Sequence, residues 1–261
     1  MDKKINYTFQ GKIWNTTFGG DYCVLEIRDE SLRQVSFSCI NLFTGRVLWE
    51  NLKPEKSWWL SLVGIFDEYL ILHKYLSNQK PEPEGLLILN VNSGEIVKRI
   101  DKWIFFNFQH HVLTIYQLQN NEPTYKMIDL ASTLLNPKVV VENAPRTDEQ
   151  FDNSLSETSP THYPEDSPHF QTIYKFLYRL LNIDAVKAVD YLEISNKIII
   201  SYYIYIDKSF HNRLLVTNKA REILLNDLIA KTGGLGIDTF TVKSDTLLYV
   251  KNQTQFVGYR L

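Results

Sequence analysis

Two stretches of the chain, FTGRVLWE at residues 43–50 and NSGEIVKR at residues 92–99, carry one pattern 49 positions apart. Each places a small polar residue and a glycine before a charged residue and a pair of apolar residues. Glycine supplies the positive φ that a tight turn between strands needs, which costs a residue with a Cβ roughly 1 kcal/mol. The repeat therefore predicts the same hairpin turn twice, at Gly45 and at Gly94.

Aligning the strand before this turn extends the pattern to five copies. They are INLFTGRVLW (40–49), LNVNSGEIVK (89–98), MIDLASTLLN (127–136), LLVTNKAREI (214–223) and LYVKNQTQFV (248–257). Their period is about 35–50 residues once one insertion is set aside, which is the length of a propeller blade. The pattern predicts an all-β chain, a five-bladed β-propeller of four-stranded antiparallel sheets. Trp14, Trp59 and Trp103 mark opening strands, where large rings are expected to pack between blades.

The two ends of the chain complement each other. The fifth copy ends at QFVGYRL (255–261) without an outer strand, and INYTFQ (5–10) has no place in the first copy. A circular fold removes exposed sheet edges by interleaving its termini. Residues 5–10 are therefore expected to pair with residues 255–260 and close the ring, within one domain of residues 1–261.

One insertion, residues 143–184, interrupts the repeat. Its first part, 143–168, is rich in proline and acidic residues and is interpreted as a mobile loop. A helix follows, with Ser167 as its cap and Pro168 at its first position. Apolar residues follow at helical spacing: Phe170, Ile173, Tyr174, Leu177 and Leu181. This stripe is expected to pack on the protein's own blades, with packing on a partner as the alternative.

The charge balance limits the classes of partner. Lys and Arg number 28 against 30 Asp and Glu, a formal charge of −2, so nothing favours nucleic acid or an anionic membrane. The N-terminus has no apolar run of secretory or spanning length, which predicts a cytoplasmic protein. The expected partner is an unidentified protein or a small-molecule ligand.

Cys23 and Cys39 are the two cysteines of the chain, and we expect them to be reduced core residues. A three-residue hairpin loop within residues 29–33 would set them opposite each other. A slip of one residue would separate them.

His162, Glu165, Asp166 and His169 crowd into eight residues, a composition that suits a transition metal. Three of the four fall in the predicted loop, whereas structural zinc ligands sit on rigid elements. A solvated loop is the favoured interpretation, and no metal is expected.

A catalytic alternative rests on carboxylates, because no Gly-x-Ser-x-Gly nucleophile motif occurs. Asp190, Glu193 and Asp238 lie on candidate opening strands, with Asn15 and Asn107 available beside them. Carboxylates converging at a propeller channel would suit a hydrolase or lyase acting on a small sugar or lactone. The favoured interpretation is polar residues that line a wet channel.

INLFTGRVLWE (40–50), followed by WW (58–59), resembles repeats of pyrroloquinoline-quinone-type propellers. From GKIW (11–14) through PEPEGLLILNVNSGE (81–95) to TGGLGIDTFTVKSDTLLYVKN (232–252), the chain resembles a bacterial family of uncharacterised propeller-like proteins. The resemblance implies the fold and assigns no activity. The metal and cofactor motifs of quinone dehydrogenases are missing, so no cofactor is expected. A non-enzymatic binding or scaffolding protein is the leading interpretation.

Overall fold

A computed structural model describes residues 1–55, 58–76, 82–119, 122–130, 157–236 and 239–261. The chain forms two compact units, one of Met1–Gln10 with Ser156–Leu261 and one of Gly11–Leu155. The described residues contain five antiparallel sheets of three to five strands and an α-helix. The prediction of an all-β antiparallel chain is confirmed. The first strand, β1 (Asp2–Thr8), belongs to the unit that also holds Ser156–Leu261.

The Gly11–Leu155 unit contains three sheets, each with its strands in chain order. The first sheet consists of β2 (Lys12–Gly19), β3 (Tyr22–Asp29), β4 (Gln34–Asn41) and β5 (Arg46–Leu52). The second consists of β6 (Leu60–Phe66), β7 (Tyr69–Lys74), β8 (Gly85–Asn90) and β9 (Ile96–Asp101). The third has β10 (Ile104–Gln109), β11 (Val112–Gln119) and β12 (Glu122–Asp129) among the described residues. Any fourth strand of the third copy would fall within residues 131–156, outside the described residues.

The repeated turns have the predicted backbone. Gly45 has a φ of 72° and Gly94 a φ of 74°. The amide of each glycine donates to the carbonyl oxygen of an asparagine four residues earlier, Asn41 or Asn90, at 2.8 Å. The side-chain oxygen of each asparagine accepts a backbone amide of its own turn. In the fourth copy the positive φ falls on Arg221, at 66°, so that turn is built differently.

Consecutive sheets of this unit pack face to face. One apolar core lies between the first and second sheets and another between the second and third. Trp49 on β5 contributes to the first core, and its indole N–H donates to the carbonyl oxygen of Val91 at 2.8 Å. Trp49 therefore connects the first sheet to the turn after β8 in the second sheet.

The expectation that Trp14 packs between sheets is wrong, because its side chain is 64% exposed. The pairing of β2 with β3 shifts register between Ile13 and Asn15, and a bulge at this point turns Trp14 outward. The opening strands of the second and third sheets shift register in the same way, at Val63 and Phe106.

The two cysteines lie on neighbouring strands without facing each other. Asp29 pairs with Gln34, which leaves a four-residue loop and places Cys23 opposite Ile40 and Cys39 opposite Val24. Burial raises the pKa of the Cys39 thiol to about 12. Cys39 is therefore an unreactive core residue.

The other unit contains the fourth and fifth sheets. The fourth consists of β14 (Thr161–Pro164), β15 (Val186–Ile194), β16 (Lys197–Ile206), β17 (Ser209–Asn218) and β18 (Ile223–Thr232). The fifth has the order β1, β21 (Gln255–Arg260), β20 (Thr246–Lys251), β19 (Thr241–Lys243) and β13 (Glu157–Thr158). β1 pairs with β21 from Asp2 opposite Arg260 to Thr8 opposite Gln255. The N-terminus therefore pairs with residues 255–260, through residues 2–8 where residues 5–10 were predicted. An apolar core lies between the two sheets.

The insertion is more ordered than its composition indicates. Glu157–Thr158 pairs with β19, and Thr161–Pro164 pairs with β15, so the last part of the predicted loop 143–168 is strand. The fourth and fifth sheets consequently have five strands each where four were predicted. These pairings join segments far apart in the chain, which composition does not indicate. Residues 143–156 lie outside the described residues.

The helix α1 (Pro168–Leu181) begins as predicted. The Ser167 hydroxyl oxygen accepts from the backbone amides of His169 and Phe170. Phe170, Ile173 and Leu177 are buried and pack on the fourth sheet. The helix stripe therefore packs on the protein's own fold.

His73 on β7 predicts a pH dependence of stability. Burial lowers the pKa of its imidazole to about 4, and its buried Nε2 atom has no hydrogen-bond partner among the described residues. The unfolded chain takes up this proton near pH 6.5, so stability contributed by neutral His73 is present above that pH and is lost as the pH falls toward 4. His73→Leu is expected to reduce the loss of unfolding free energy between these pH values, measured by urea denaturation. The exposed His110→Asn control is expected to leave it unchanged, and an equal loss in His73→Leu would contradict the assignment.

Candidate ligand-binding site

The carboxylates predicted to form a catalytic group do not converge within the described residues. Asp190 lies on β15 with 3% of its surface exposed, and Glu193 lies exposed on the same strand. The register is regular from Val189 to Ile194, and side chains three positions apart point to opposite faces of a strand. Asp238 lies outside the described residues.

Asp190 has both carboxylate oxygens occupied. One accepts from His162 Nδ1 at 2.6 Å, and the other accepts from the amide and hydroxyl of Thr239 at 3.2 and 2.7 Å. An ionised carboxylate only accepts hydrogen bonds, so Nδ1 of His162 carries the proton and donates it. Asp190 thus joins β14, β15 and the segment before β19. Asn15 is exposed and Asn107 is buried.

The four residues that suggested a metal site make different contacts and do not converge on one point. His162 is bound to Asp190, and the His169 ring lies 5.0 Å from the Tyr163 ring. Glu165 and Asp166 occupy the exposed turn between β14 and α1. Over the part of the chain that the structure describes, no three His, Cys, Asp or Glu residues lie close enough to hold a metal ion.

A cavity lies between α1 and the fourth sheet, with a volume of about 290 Å³. Its lining side chains come from β14, α1, β15 and β16. They are Tyr163, His169, Thr172, Ile173, Phe176, Tyr191, Ile198 and Ile200. Most of this surface is apolar or aromatic, and a few polar groups lie on it. A concave, mainly apolar space with a few polar groups is typical of small-molecule sites.

The helix forms one wall because of how its ends are held. Ser167 caps its N-terminus, and Asn182, with a φ of 52°, ends it in the left-handed conformation. Ile173 and Leu177 anchor the helix to the sheet. Thr172 and Phe176, on the adjacent edge of the helix, border the cavity.

Tyr191 supplies a polar group at the opposite wall. Its hydroxyl donates to Glu193 Oε2 at 3.2 Å. Burial, the charge of Glu193 and this hydrogen bond raise the pKa of Tyr191, so the phenol stays protonated. A hydrogen bond and the charge of Lys219, at 3.1 Å, lower the pKa of Glu193. The carboxylate at this edge is therefore already paired.

Sequence reasoning missed this cavity. Its walls come from four segments, and their convergence depends on where α1 lies on the sheet. The helix sequence gave a weak indication of a binding site. It combines an apolar stripe with Lys175 and Arg179, and it contains no acidic residue. Of the predicted carboxylates on β15, Asp190 lies on the face opposite Tyr191, and Glu193 lies exposed beside Tyr191 with its charge paired to Lys219.

Comparison with protein families gives a match to part of the chain. A family described as a domain of unknown function, DUF4905, matches residues 19–97, which run from the last residue of β2 to the first residues of β9. The match covers neither α1 nor the cavity. No curated protein matches the sequence.

Solved structures offer only distant similarity. A eukaryotic initiation factor is 10% identical with a TM-score of 0.34, over 95% of this chain and 53% of that one. This chain therefore spans about half of that structure. A DUF4221 family member from Bacteroides vulgatus is 10% identical with a TM-score of 0.31, over 100% and 96% of the two chains. AztD from Citrobacter koseri is 8% identical with a TM-score of 0.29, over 95% and 74%.

Among the described helical residues, no segment combines the length and the apolar character needed to cross a bilayer.

Proposed function

We propose that this chain is a non-enzymatic binding protein of the β-propeller class, with its ligand in the cavity between α1 and the fourth sheet. The cavity of about 290 Å³ is the observation that carries the proposal. Its aromatic and aliphatic lining favours a ligand with an apolar body, because burial of apolar surface is the main driving force at such sites. The partner proposed is a small molecule, neither nucleic acid nor membrane, bound in the cytoplasm.

Three features support the propeller part of the proposal. The described residues form five sheets, and neighbouring sheets within each unit share an apolar core. The opening strands of the first three sheets share a bulge. β1 completes the fifth sheet by pairing with β21. A single domain of five blades whose ring is closed by the N-terminal strand accounts for all three.

A hydrolase or lyase acting on a small sugar or lactone is the second candidate. The pair formed by Asp190 and His162 favours it, because a buried carboxylate that orients an imidazole is a common basis for acid and base catalysis. That reaction class needs a second converging group. Glu193 points to the other face of β15, so the binding role is better supported.

Filling the cavity tests the proposed function. We expect the wild-type protein to bind the neutral apolar dye Nile red with one dye per chain. Thr172→Trp is expected to weaken this binding by about tenfold or more, because the indole occupies the cavity from the exposed side of α1. Fluorescence titration measures both affinities.

Gln171→Trp is the matched control. Gln171 is exposed, lies beside Thr172 on the same helix and does not line the cavity. The control is expected to bind the dye as the wild type does. Equal dye affinity in Thr172→Trp and in the wild type would refute the site.

A further inference from the structure

A second groove of about 310 Å³ runs beside the cavity along α1. It is lined by Thr172, Lys175, Phe176, Arg179, Leu180 and Arg221. Thr172 and Phe176 also line the cavity, so the two spaces share a wall. The two spaces therefore adjoin each other at these two side chains.

All charged side chains that line the groove are positive. Lys175 and Arg179 lie four residues apart and share one side of α1, and Arg221 lies in the turn before β18. Within the described part of the chain none of the three forms an ion pair. Glu222, next to Arg221, accepts the Asn218 side-chain amide at 2.6 Å. The groove thus has a positive field without a lining carboxylate to neutralise it.

We infer that the ligand is an amphipathic anion, with an apolar body in the cavity and a carboxylate head on Lys175, Arg179 and Arg221. The inference rests on the proposed function, since it specifies the ligand of the same cavity. Arginine binds a carboxylate through two parallel hydrogen bonds, and a neighbouring lysine adds a point charge. The carboxylate head of the ligand therefore binds the positive groove, and its apolar body binds the apolar cavity.

The helix sets the length of the ligand. Thr172 at the shared wall and Arg179 are seven residues apart, about 10 Å along an α-helix. A carboxylic acid with a medium-length alkyl or aryl-alkyl body spans this distance. The space is a recess between helix and sheet, which suits a single free molecule.

Two probes that differ only in charge test the inference. Dansyl-labelled undecanoic acid and its neutral methyl ester are titrated against the protein and followed by dansyl fluorescence. We expect the acid to bind about tenfold more tightly than the ester, a difference of about 1.4 kcal/mol. The preference is expected to fall as salt is raised, because exposed charges are screened.

Arg179→Glu provides the matched change in the protein. It is expected to remove the preference for the acid while the ester binds as before, and Arg179→Lys is expected to retain most of the preference. Equal affinities of acid and ester for the wild type, or an unchanged preference in Arg179→Glu, would overturn the inference and leave the proposed function standing. Failure of both probes to bind would overturn the proposed function itself. If Arg179→Glu unfolds the protein, the salt series of the wild type decides, and a preference that does not fall with salt overturns the inference.

Discussion

Leu177→Asp is expected to cause a large loss in the free energy of unfolding. Leu177 is fully buried and packs with Val189, Ile200 and Leu215 of the fourth sheet. Truncating such a leucine to alanine costs about 2–5 kcal/mol. Aspartate costs more, because it removes the same apolar contacts and also buries a carboxylate without a partner.

The matched control is Gln171→Asp, which places the same charge on the exposed side of the helix near its N-terminus. A negative charge there is neutral or slightly favourable because of the helix dipole. Chemical denaturation of the three proteins measures the free energies of unfolding. An equal free energy of unfolding for Leu177→Asp and the wild type would show that α1 does not pack as described.

Glu26→Ala is expected to lower the free energy of unfolding by about 3–5 kcal/mol. Glu26 is 1% exposed and binds Arg28 at 2.6 Å, while its second oxygen accepts the backbone amide of Leu62 at 3.0 Å. Its loss leaves a largely buried guanidinium and a buried amide without their acceptor. Removing Glu26 is strongly destabilising because its contacts join the first sheet to the second.

Arg28 is further held by ring contacts. Its guanidinium lies 5.5 Å from the Trp14 ring and 4.8 Å from the Trp58 ring, and it donates to the carbonyl oxygens of Trp58 and Leu60. These contacts keep the charge in place after Glu26 is removed, so the protein is left with an unpaired cation. Trp14, at the bulge of β2, thus has its exposed ring next to the Arg28 guanidinium.

Glu30→Ala is the control for Glu26→Ala. Glu30 binds Lys12 at 3.0 Å, and both side chains are about half exposed. An exposed ion pair contributes about 0–1 kcal/mol. Urea denaturation near neutral pH compares the variants, and a loss in Glu26→Ala as small as that in Glu30→Ala would contradict the structural role assigned to Glu26.

Most of the fold was predictable because its signals are local. The positive φ at Gly45 and Gly94 follows from the residues of each turn. The capped start of α1 follows from Ser167 and Pro168. The pairing of β1 with β21 was predicted from a missing strand at one end of the repeat and a surplus strand at the other.

The candidate site was less predictable because it depends on which face of each strand is covered and on which distant segments pack against it. The alternation of side chains along β15 already separates Asp190 from Glu193, but only the pairing of β14 shows that Asp190 is buried against His162. The cavity needed the position of α1 on the sheet. Its polar and apolar walls come from segments that are separated in the chain and meet only in the folded protein.

The amino-acid sequence by itself determined the strands of the repeat, the repeated turns, the helix and the pairing of the two chain ends, since each depends on neighbouring residues or on a repeat count. Tertiary structure alone decided that α1 covers the fourth sheet, that Thr161–Pro164 adds a strand to it, and that Lys175, Arg179 and Arg221 border one groove. The physical reason is that burial and electrostatic fields arise from contacts between distant residues, and a local pattern leaves open which of its faces meets which neighbour.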